Sequence, residues 1–280
     1  MPHTGHHRAD AKTRGGTDPL SLAVANRDAS VLHMVKEAIA HKQVLLAYQP
    51  VMRSDNPSKT AFYEGLIRVL DETGRVIPAH EFIGVAEESE IGRQLDVLAL
   101  EHGLRALFRT PSLRLSINMS ARSFGYRRWM STLNRWLKRD ETLGERLILE
   151  VTESSAMTVP EIAIDFMEAL QCKGVCFAMD DFGAGHTALR YFRDFQFDIV
   201  KIDGQFIRGI SNSPDNRALV SAMISIARHF EMLVVAEFVE DEKDAQVLID
   251  LGIDCMHGYH YGAPTTRPDW LRQDRQRASA

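Results

Sequence analysis

The sequence has few cysteines and no long apolar run. Its three cysteines, Cys172, Cys176 and Cys255, form no C-x-x-C pair and leave an odd number, which argues against a disulfide framework and fits a reducing compartment. No apolar stretch approaches the roughly 20 residues that a membrane-spanning helix needs. The N-terminus lacks the apolar core of a signal peptide. We therefore expect a cytoplasmic protein without membrane insertion.

The sequence also lacks an excess of positive charge. Lysine and arginine number 33 against 38 aspartate and glutamate residues, so the net charge is −5 with neutral histidines. Such a chain has no global basic field to attract a nucleic-acid polymer or an anionic membrane. A polyanionic substrate would therefore need local help from metal ions or from a few arginine and lysine side chains.

The first 27 residues differ in pattern from the rest of the chain. Residues 1–27 are polar, contain glycine and show no apolar period, which predicts a disordered N-terminal segment. From Asp28, a residue type that caps helices, apolar side chains recur at helical spacing. We therefore expect one domain over residues 28–280 that begins with a helix.

Short apolar segments alternate with helical ones along this domain. The predicted strands are residues 44–52, 62–70, 113–121, 146–154, 175–181, 198–203, 233–240 and 255–262. The first two are joined by a short polar connection, so we expect them to be antiparallel neighbours. The alternation predicts an α/β fold, a (β/α)8 barrel with one antiparallel strand. An open doubly wound sheet is the alternative, but the glycine-rich phosphate loop that it predicts is missing.

Polar residues recur where the predicted strands end. They are Glu64, Asn118, Glu150, Asp180, Asp181, Lys201, Glu237 and Glu240. The carboxyl ends of parallel barrel strands share one face, so we expect these side chains to converge there. Each residue alone has a structural explanation, such as an ion pair or a turn. Together, clustered carboxylates repel one another unless a multivalent cation lies among them.

The chemistry of these side chains indicates which metal and which reaction. Carboxylate and amide oxygens suit Mg²⁺ or Mn²⁺ rather than structural zinc. The adjacent pair Asp180-Asp181 offers one carboxylate to bridge two ions and another beside it. Paired ions about 3.5–4 Å apart suit phosphodiester hydrolysis, because they activate water and stabilise the attacking and leaving oxygens. Lys201 would orient that water or neutralise charge on the phosphate.

These residues lie in segments that resemble those of a known family. The segments are Tyr48-Gln49-Pro50, Glu64-Gly65-Leu66-Ile67-Arg68, Asn118-Met119-Ser120-Ala121-Arg122, Glu150-Val151-Thr152-Glu153, Asp180-Asp181-Phe182-Gly183-Ala184-Gly185, Lys201-Ile202-Asp203, Ala236-Glu237-Phe238-Val239-Glu240 and Gly258-Tyr259. Each is weak alone, but all eight occur in order over about residues 30–265. In them the chain resembles the EAL-domain family of cyclic-di-GMP phosphodiesterases.

The resemblance implies hydrolysis of cyclic di-GMP to linear pGpG with Mg²⁺ or Mn²⁺, by two ions, in a homodimer. By matching position, the resemblance implies that one ion is bound by Glu64, Asn118, Glu150 and Asp180, and the second by Asp180, Asp181 and Glu237. It implies that Lys201 contacts the attacking water and that Glu64 and Glu237 are catalytic ligands. It also implies Gln49, Arg68, Glu240 and His257 on the substrate side and Glu153 as support for the loop after Asp181.

The chain departs from the family pattern at several places. Gly65 replaces the usual alanine, a change that leaves Glu64 in place. Residues 186–188 replace the usual Tyr-Ser-Ser of a loop that the resemblance connects with dimer contacts. Phe238 stands for a glycine beside Glu237, and His257 for a glutamine. Two alternatives therefore stay open beside the enzyme. One is a receptor that binds cyclic di-GMP without cutting it, and the other is a protein-interaction module.

Overall fold

The computed structural model describes residues 18–185 and 192–271 of the chain. Its strands are β1 (Val44–Arg53), β2 (Thr60–Leu70), β3 (Val76–Pro78), β4 (Leu115–Asn118), β5 (Leu147–Thr152), β6 (Cys176–Phe182), β7 (Ile199–Ile202), β8 (Leu233–Ala236) and β9 (Cys255–His257). Hydrogen-bonded neighbours follow the order β1-β9-β8-β7-β6-β5-β4-β2, and β2 pairs back with β1 to close an eight-stranded barrel. β3 extends this sheet from β2, outside the ring.

One barrel strand runs against the others. β1 is antiparallel to both β2 and β9, whereas every other neighbouring pair in the ring is parallel. The cause is the short connection between β1 and β2, because a parallel crossover needs a dozen or more residues. The predicted barrel with one antiparallel strand is confirmed, and the closed ring excludes the open sheet.

Helices surround the barrel and connect its strands. They are α1 (Pro19–Ala40), α2 (Ile83–Ala86), α3 (Glu90–Arg109), α4 (Arg127–Leu137), α5 (Glu153–Thr158), α6 (Pro160–Gln171), α7 (Gly204–Ile207), α8 (Pro214–His229) and α9 (Glu242–Leu251). Short 3₁₀ turns lie at Ala79–Glu81, Ala121–Ser123, Glu141–Arg146 and Ile210–Asn212. No helix in the part of the chain that the structure describes is long and apolar enough to cross a membrane.

The first helix starts earlier than the sequence pattern indicates. α1 begins at Pro19, so the predicted start at Asp28 is wrong, and residues 19–27 are helical. Asp18 caps the helix by accepting a hydrogen bond from Ser21 N, and Pro19 supplies a helical φ at the first position. The spacing of apolar residues did not reveal the first turns of α1, because Leu20 and Leu22 are exposed there. The rest of the predicted disordered segment, residues 1–17, lies outside the described residues.

Two predicted strands are shorter than expected, and this matters for the site. β8 ends at Ala236 and β9 ends at His257, instead of at residues 240 and 262. The chain turns after Ala236 because Val239 N donates to His257 O at 3.0 Å, which folds the segment after β8 across the end of β9. Glu237 and Glu240 consequently lie in a loop above the barrel.

Gly258 allows this close approach, and its replacement gives a test. A Cβ atom at Gly258 would lie 2.1 Å from Val239 O and 2.3 Å from Val239 N. We expect Gly258→Ala to lower the free energy of unfolding by about 1–3 kcal/mol, because the backbone at His257 must shift. Urea unfolding measures this change. Gly84→Ala in α2 is the matched control, since its Cβ would meet nothing within 4 Å; equal stability of the two variants would contradict the prediction.

Candidate functional site

The polar side chains at the barrel mouth stand above an apolar layer in the same strands. Buried residues Phe62, Ile148, Ala178, Ile199, Val235 and Cys255 form one cluster, and the residues two positions further along are Glu64, Glu150, Asp180, Lys201, Glu237 and His257. Side chains in a strand alternate between faces, so both sets point into the barrel. The barrel interior therefore has an apolar floor and a layer of charged groups on top of it.

Lys201 lies at the centre of the charged layer. Its side chain is 1% exposed, and its Nζ lies 2.7 Å from Glu150 Oε2, 2.8 Å from Glu237 Oε1, 3.0 Å from Asp180 Oδ1 and 3.5 Å from Glu64 Oε2. Four carboxylates from four strands or strand ends thus meet one ammonium group. A single positive charge balances only part of this negative charge.

Proton affinities in this layer are shifted by burial and by neighbouring charges. Burial and the nearby Glu64 raise the pKa of Glu150 to about 7, and burial with Glu237 raises the pKa of Asp180 well above its usual value. Burial opposes the charge on Lys201, but the carboxylates around it raise its pKa well above the ordinary value. Burial also opposes ionisation of Glu237, yet the Lys201 charge lowers its pKa to about 2. The layer therefore holds protons near neutral pH that added cations would displace.

The remaining predicted metal ligands surround the same centre. Asn118 Nδ2 donates to Glu64 Oε1 at 3.0 Å. Ligand atoms of Asp180, Asp181 and Glu237 all lie within 4.8 Å of one another, as do those of Glu64, Glu237 and His257. Glu237 belongs to both groups. The structure therefore brings together every residue predicted as a metal ligand and adds His257, which the sequence placed on the substrate side.

Several buried atoms in this layer have no hydrogen-bond partner. Among the described residues they include Glu150 Oε1, Asp180 Oδ1 and His257 Nε2. Asp180 Oδ1 lies 3.0 Å from Lys201 Nζ, so it has a charge contact without the orientation of a hydrogen bond. Buried polar atoms without partners are rare, because each costs about 1–3 kcal/mol. Such atoms are what a metal site needs, since lone pairs are available for a cation.

The predicted substrate residues line a cleft above the charged layer. The cleft has a volume of about 470 Å³, and its walls include Gln49, Arg68, Glu240 and His257. Gln49 is buried and donates to Gly262 O at 3.0 Å, while Arg68 is partly buried and donates to Ile67 O at 2.9 Å. Glu240 faces outward, with Oε1 3.5 Å from Arg208 Nε. Glu240 therefore lies at the rim, away from the contacts of Lys201.

Glu153 lies at the start of α5 and contacts the turn that follows β6. Its Oε2 accepts a hydrogen bond from Gly183 N at 3.3 Å, and the side chain is buried. Asp181, two residues before Gly183, has a positive φ of 58°. A non-glycine residue in this region is uncommon, so the turn is held by contacts of this kind. Residues 186–188, where the family pattern changes, lie outside the described residues.

Two cleft features were missed by the sequence reasoning. Asp96 of α3 lines the cleft, accepts hydrogen bonds from Ser123 Oγ at 2.6 Å and Ser120 N at 3.2 Å, and has a pKa raised by burial to about 7. The sequence did not mark Asp96 as a site residue, because it lies within a helix rather than at a strand end. The second feature is the geometry of Phe238, of which the sequence shows only that it stands for a glycine. Its φ is +53°, and the centroid of its ring lies 4.1 Å from Arg208 Cζ.

Comparisons with known proteins agree with this architecture. The family model of the EAL domain matches residues 33–264. The cyclic di-GMP phosphodiesterase PdeF of Escherichia coli K12 is 32% identical over 250 residues, which are 87% of this chain and 33% of that protein. The bifunctional diguanylate cyclase/cyclic di-GMP phosphodiesterase MucR of Pseudomonas aeruginosa is 29% identical over 247 residues, 86% of this chain and 36% of MucR. The chain thus spans about a third of the length of these relatives.

A solved structure extends the likeness to three dimensions. The PaMucR phosphodiesterase in complex with c-di-GMP superimposes with a TM-score of 0.77 at 29% identity, covering 84% of this chain and 97% of that one.

The charge balance around Lys201 gives a testable prediction. We expect Lys201→Met to lower the free energy of unfolding by about 3–5 kcal/mol at pH 8 in the presence of a chelator, because it leaves buried carboxylates without their ammonium partner. Saturating Mg²⁺ or Mn²⁺ should restore part of this loss. Urea unfolding with and without the metal measures both effects. Lys243→Met, at an exposed lysine, is the control; a Lys201→Met protein as stable as the control would contradict the prediction.

Proposed function

The chain belongs to the EAL domain family, and from this premise we propose that it hydrolyses cyclic di-GMP to linear pGpG with the help of divalent cations. The observation that carries the proposal is the set of four carboxylates around Lys201 at the carboxyl end of the barrel. The proposal is supported by the position of Glu64, Glu150, Asp180, Lys201 and Glu237 in this layer, with Asn118 and Asp181 next to it. Relatives named as cyclic di-GMP phosphodiesterases support the choice of substrate.

The residues fit a pair of Mg²⁺ or Mn²⁺ ions. Glu64, Asn118, Glu150 and Asp180 would supply oxygen atoms for one ion, and Asp180, Asp181 and Glu237 would supply them for the other. The buried atoms Glu150 Oε1 and Asp180 Oδ1, which make no hydrogen bond to the part of the chain that the structure describes, support this assignment. Bound ions of this kind would polarise the phosphodiester and lower the pKa of water.

Lys201 and Arg68 would act on the substrate. The Lys201 ammonium is held in place by Glu150 and Glu237, so it can donate hydrogen bonds to the attacking water or to a phosphate oxygen. Arg68 presents a guanidinium group to the cleft, which suits bidentate contact with a phosphate. Burial lowers the pKa of Arg68, but an arginine stays a cation at neutral pH. Gln49, on the neighbouring strand β1, would also contact the dinucleotide, and Glu240 would do so from the rim.

A receptor without turnover is the second candidate function. One observation favours it: Phe238 follows the proposed ligand Glu237 and lines the cleft, where the family pattern has a glycine. The ring reduces the space next to the ligand, and the backbone at Phe238 has a φ of +53°, which a glycine would adopt at lower cost. Tight binding of cyclic di-GMP in Mn²⁺ without formation of pGpG would establish the receptor. The homodimer and the cytoplasmic location stay predictions.

The phosphodiesterase proposal predicts a product and a dependence on Glu64. We expect the purified chain with Mn²⁺ or Mg²⁺ to convert cyclic di-GMP to pGpG, and Glu64→Ala to reduce the rate by about 100-fold or more through loss of a metal ligand. Chromatography of the nucleotides measures both. Glu72→Ala, at an exposed glutamate of the β2–β3 turn, is the matched control and should keep full activity. Full activity of Glu64→Ala would remove Glu64 from the metal site.

Metal binding should release protons below neutral pH. The raised pKa of Glu150, about 7, means that the metal-free protein binds protons at pH 6 that a cation must displace. Affinity for Mn²⁺ should therefore rise with pH up to about 7 and change less above it. Calorimetry in two buffers with different ionisation enthalpies gives the number of protons released. Because these carboxylates titrate as a set, the release belongs to the site as a whole; no release at pH 6 would contradict the prediction.

A further inference from the structure

His257 is a buried imidazole that faces the carboxylate layer, and its Nε2 atom makes no hydrogen bond to the described residues. The residue is 7% exposed, and its Nε2 atom is one of the buried polar atoms that make no hydrogen bond. Nε2 lies 3.5 Å from Glu64 Oε2, and Nδ1 lies 3.9 Å from Glu237 Oε1. The second distance is too long for a hydrogen bond. Nε2 thus has a lone pair, or a proton, directed at the site and no hydrogen bond to the described residues.

We propose that His257 joins Glu64 and Glu237 in a mixed nitrogen–oxygen site that binds a first-row transition-metal ion, such as Mn²⁺ or Co²⁺, in preference to Mg²⁺. The inference rests on the proposed function, because two of the three ligands are also proposed for hydrolysis. It adds a ligand and a metal selectivity that the family pattern does not imply, since His257 stands where that pattern has a glutamine.

The spacing of the three groups suits one ion. Metal–nitrogen and metal–oxygen distances of about 2.0–2.2 Å place neighbouring ligand atoms about 3.0–3.5 Å apart. The separation of His257 Nε2 from Glu64 Oε2 is 3.5 Å, and the ligand atoms of all three residues lie within 4.8 Å of one another. Small rotations of the two glutamates therefore bring the set to coordination distance.

Backbone contacts hold His257 in position. It is the last residue of β9 and pairs with Val51 of β1, and its carbonyl oxygen accepts a hydrogen bond from Val239 N at 3.0 Å. Val239 lies two residues after Glu237, so the same contact fixes the imidazole relative to one of its proposed co-ligands. A ligand on a rigid strand end loses little freedom when a metal binds.

The chemistry of the donors sets the selectivity. Mg²⁺ prefers oxygen ligands and gives up water reluctantly, whereas imidazole nitrogen raises affinity for Mn²⁺, Co²⁺ and later ions of the series. A glutamine at this position would offer only an amide oxygen and would leave Mg²⁺ competitive. The competing explanation is a protonated His257 that forms ion pairs with the two glutamates, which would repel a metal ion rather than bind it.

Metal titrations of the metal-free protein distinguish these explanations. We expect His257→Gln to lower the affinity for Mn²⁺ and Co²⁺ by about tenfold or more, while the affinity for Mg²⁺ changes by less than about threefold. Calorimetry with each ion alone gives the ratio of the affinity for Mn²⁺ to the affinity for Mg²⁺. His260→Gln is the matched control, because His260 is exposed three residues further along the same segment. An affinity ratio in His257→Gln that equals the ratio in the parent protein would overturn the proposal.

Spectroscopy gives a second readout that does not depend on activity or on the stability of the variant. Pulsed electron paramagnetic resonance of the Mn²⁺-loaded protein should show a coupled histidine nitrogen that is lost in His257→Gln and kept in His260→Gln. His3, His6 and His7 are replaced by alanine in every sample, because tail histidines also bind transition metals. Absence of nitrogen coupling in the Mn²⁺-loaded parent protein would overturn the proposal.

The outcomes separate this inference from the proposed function. Turnover of cyclic di-GMP without histidine coupling would leave the phosphodiesterase standing and sink the mixed-ligand site. Histidine coupling in a protein that makes no pGpG with any ion would support the site and sink the phosphodiesterase.

Discussion

The structure depends on one cation that is shared by four buried carboxylates. Lys201 reaches the top of the barrel from β7, and the acids that it contacts come from β2, β5, β6 and the loop after β8. Without it, four ionised groups would lie together above an apolar floor, where charges repel strongly. The lysine balances part of this repulsion when no metal is bound. It leaves the site short of positive charge, a condition that favours the binding of cations.

The apolar floor and the charged layer are two parts of one pattern. Six of the eight barrel strands, β2 and β5–β9, place an apolar residue inward and then, two positions later, a polar one, as with Ile148 and Glu150 or Ile199 and Lys201. The lower layer excludes water from below, which strengthens electrostatic interactions in the layer above it. The raised pKa values of Glu150 and Asp180 are the measurable result. The same alternation that closes the core therefore sets the chemistry at the mouth.

This alternation also explains what the sequence could reveal. Glu64, Glu150 and Lys201 were predictable, because each follows an apolar run whose period and length mark a barrel strand. The start of α1 was not, because its first turns are exposed and only Asp18 and Pro19 mark the boundary. Asp96 reaches the cleft from a helix face, so its role depends on tertiary packing that no local pattern contains. The coordination partners of His257 likewise needed the closed ring, which pairs the last strand with the first.

Two of the departures from the family pattern, Phe238 and His257, lie beside Glu237. Phe238 follows Glu237 directly with φ at +53°, a conformation that costs a non-glycine residue about 1–2 kcal/mol. The Arg208 guanidinium 4.1 Å from its ring, itself paired with Glu240, offsets part of this cost. On the other side, Nδ1 of His257 lies 3.9 Å from the Glu237 carboxylate. Glu237 also belongs to both groups of side chains that could hold a metal ion. A change in its position would therefore alter both groups at once.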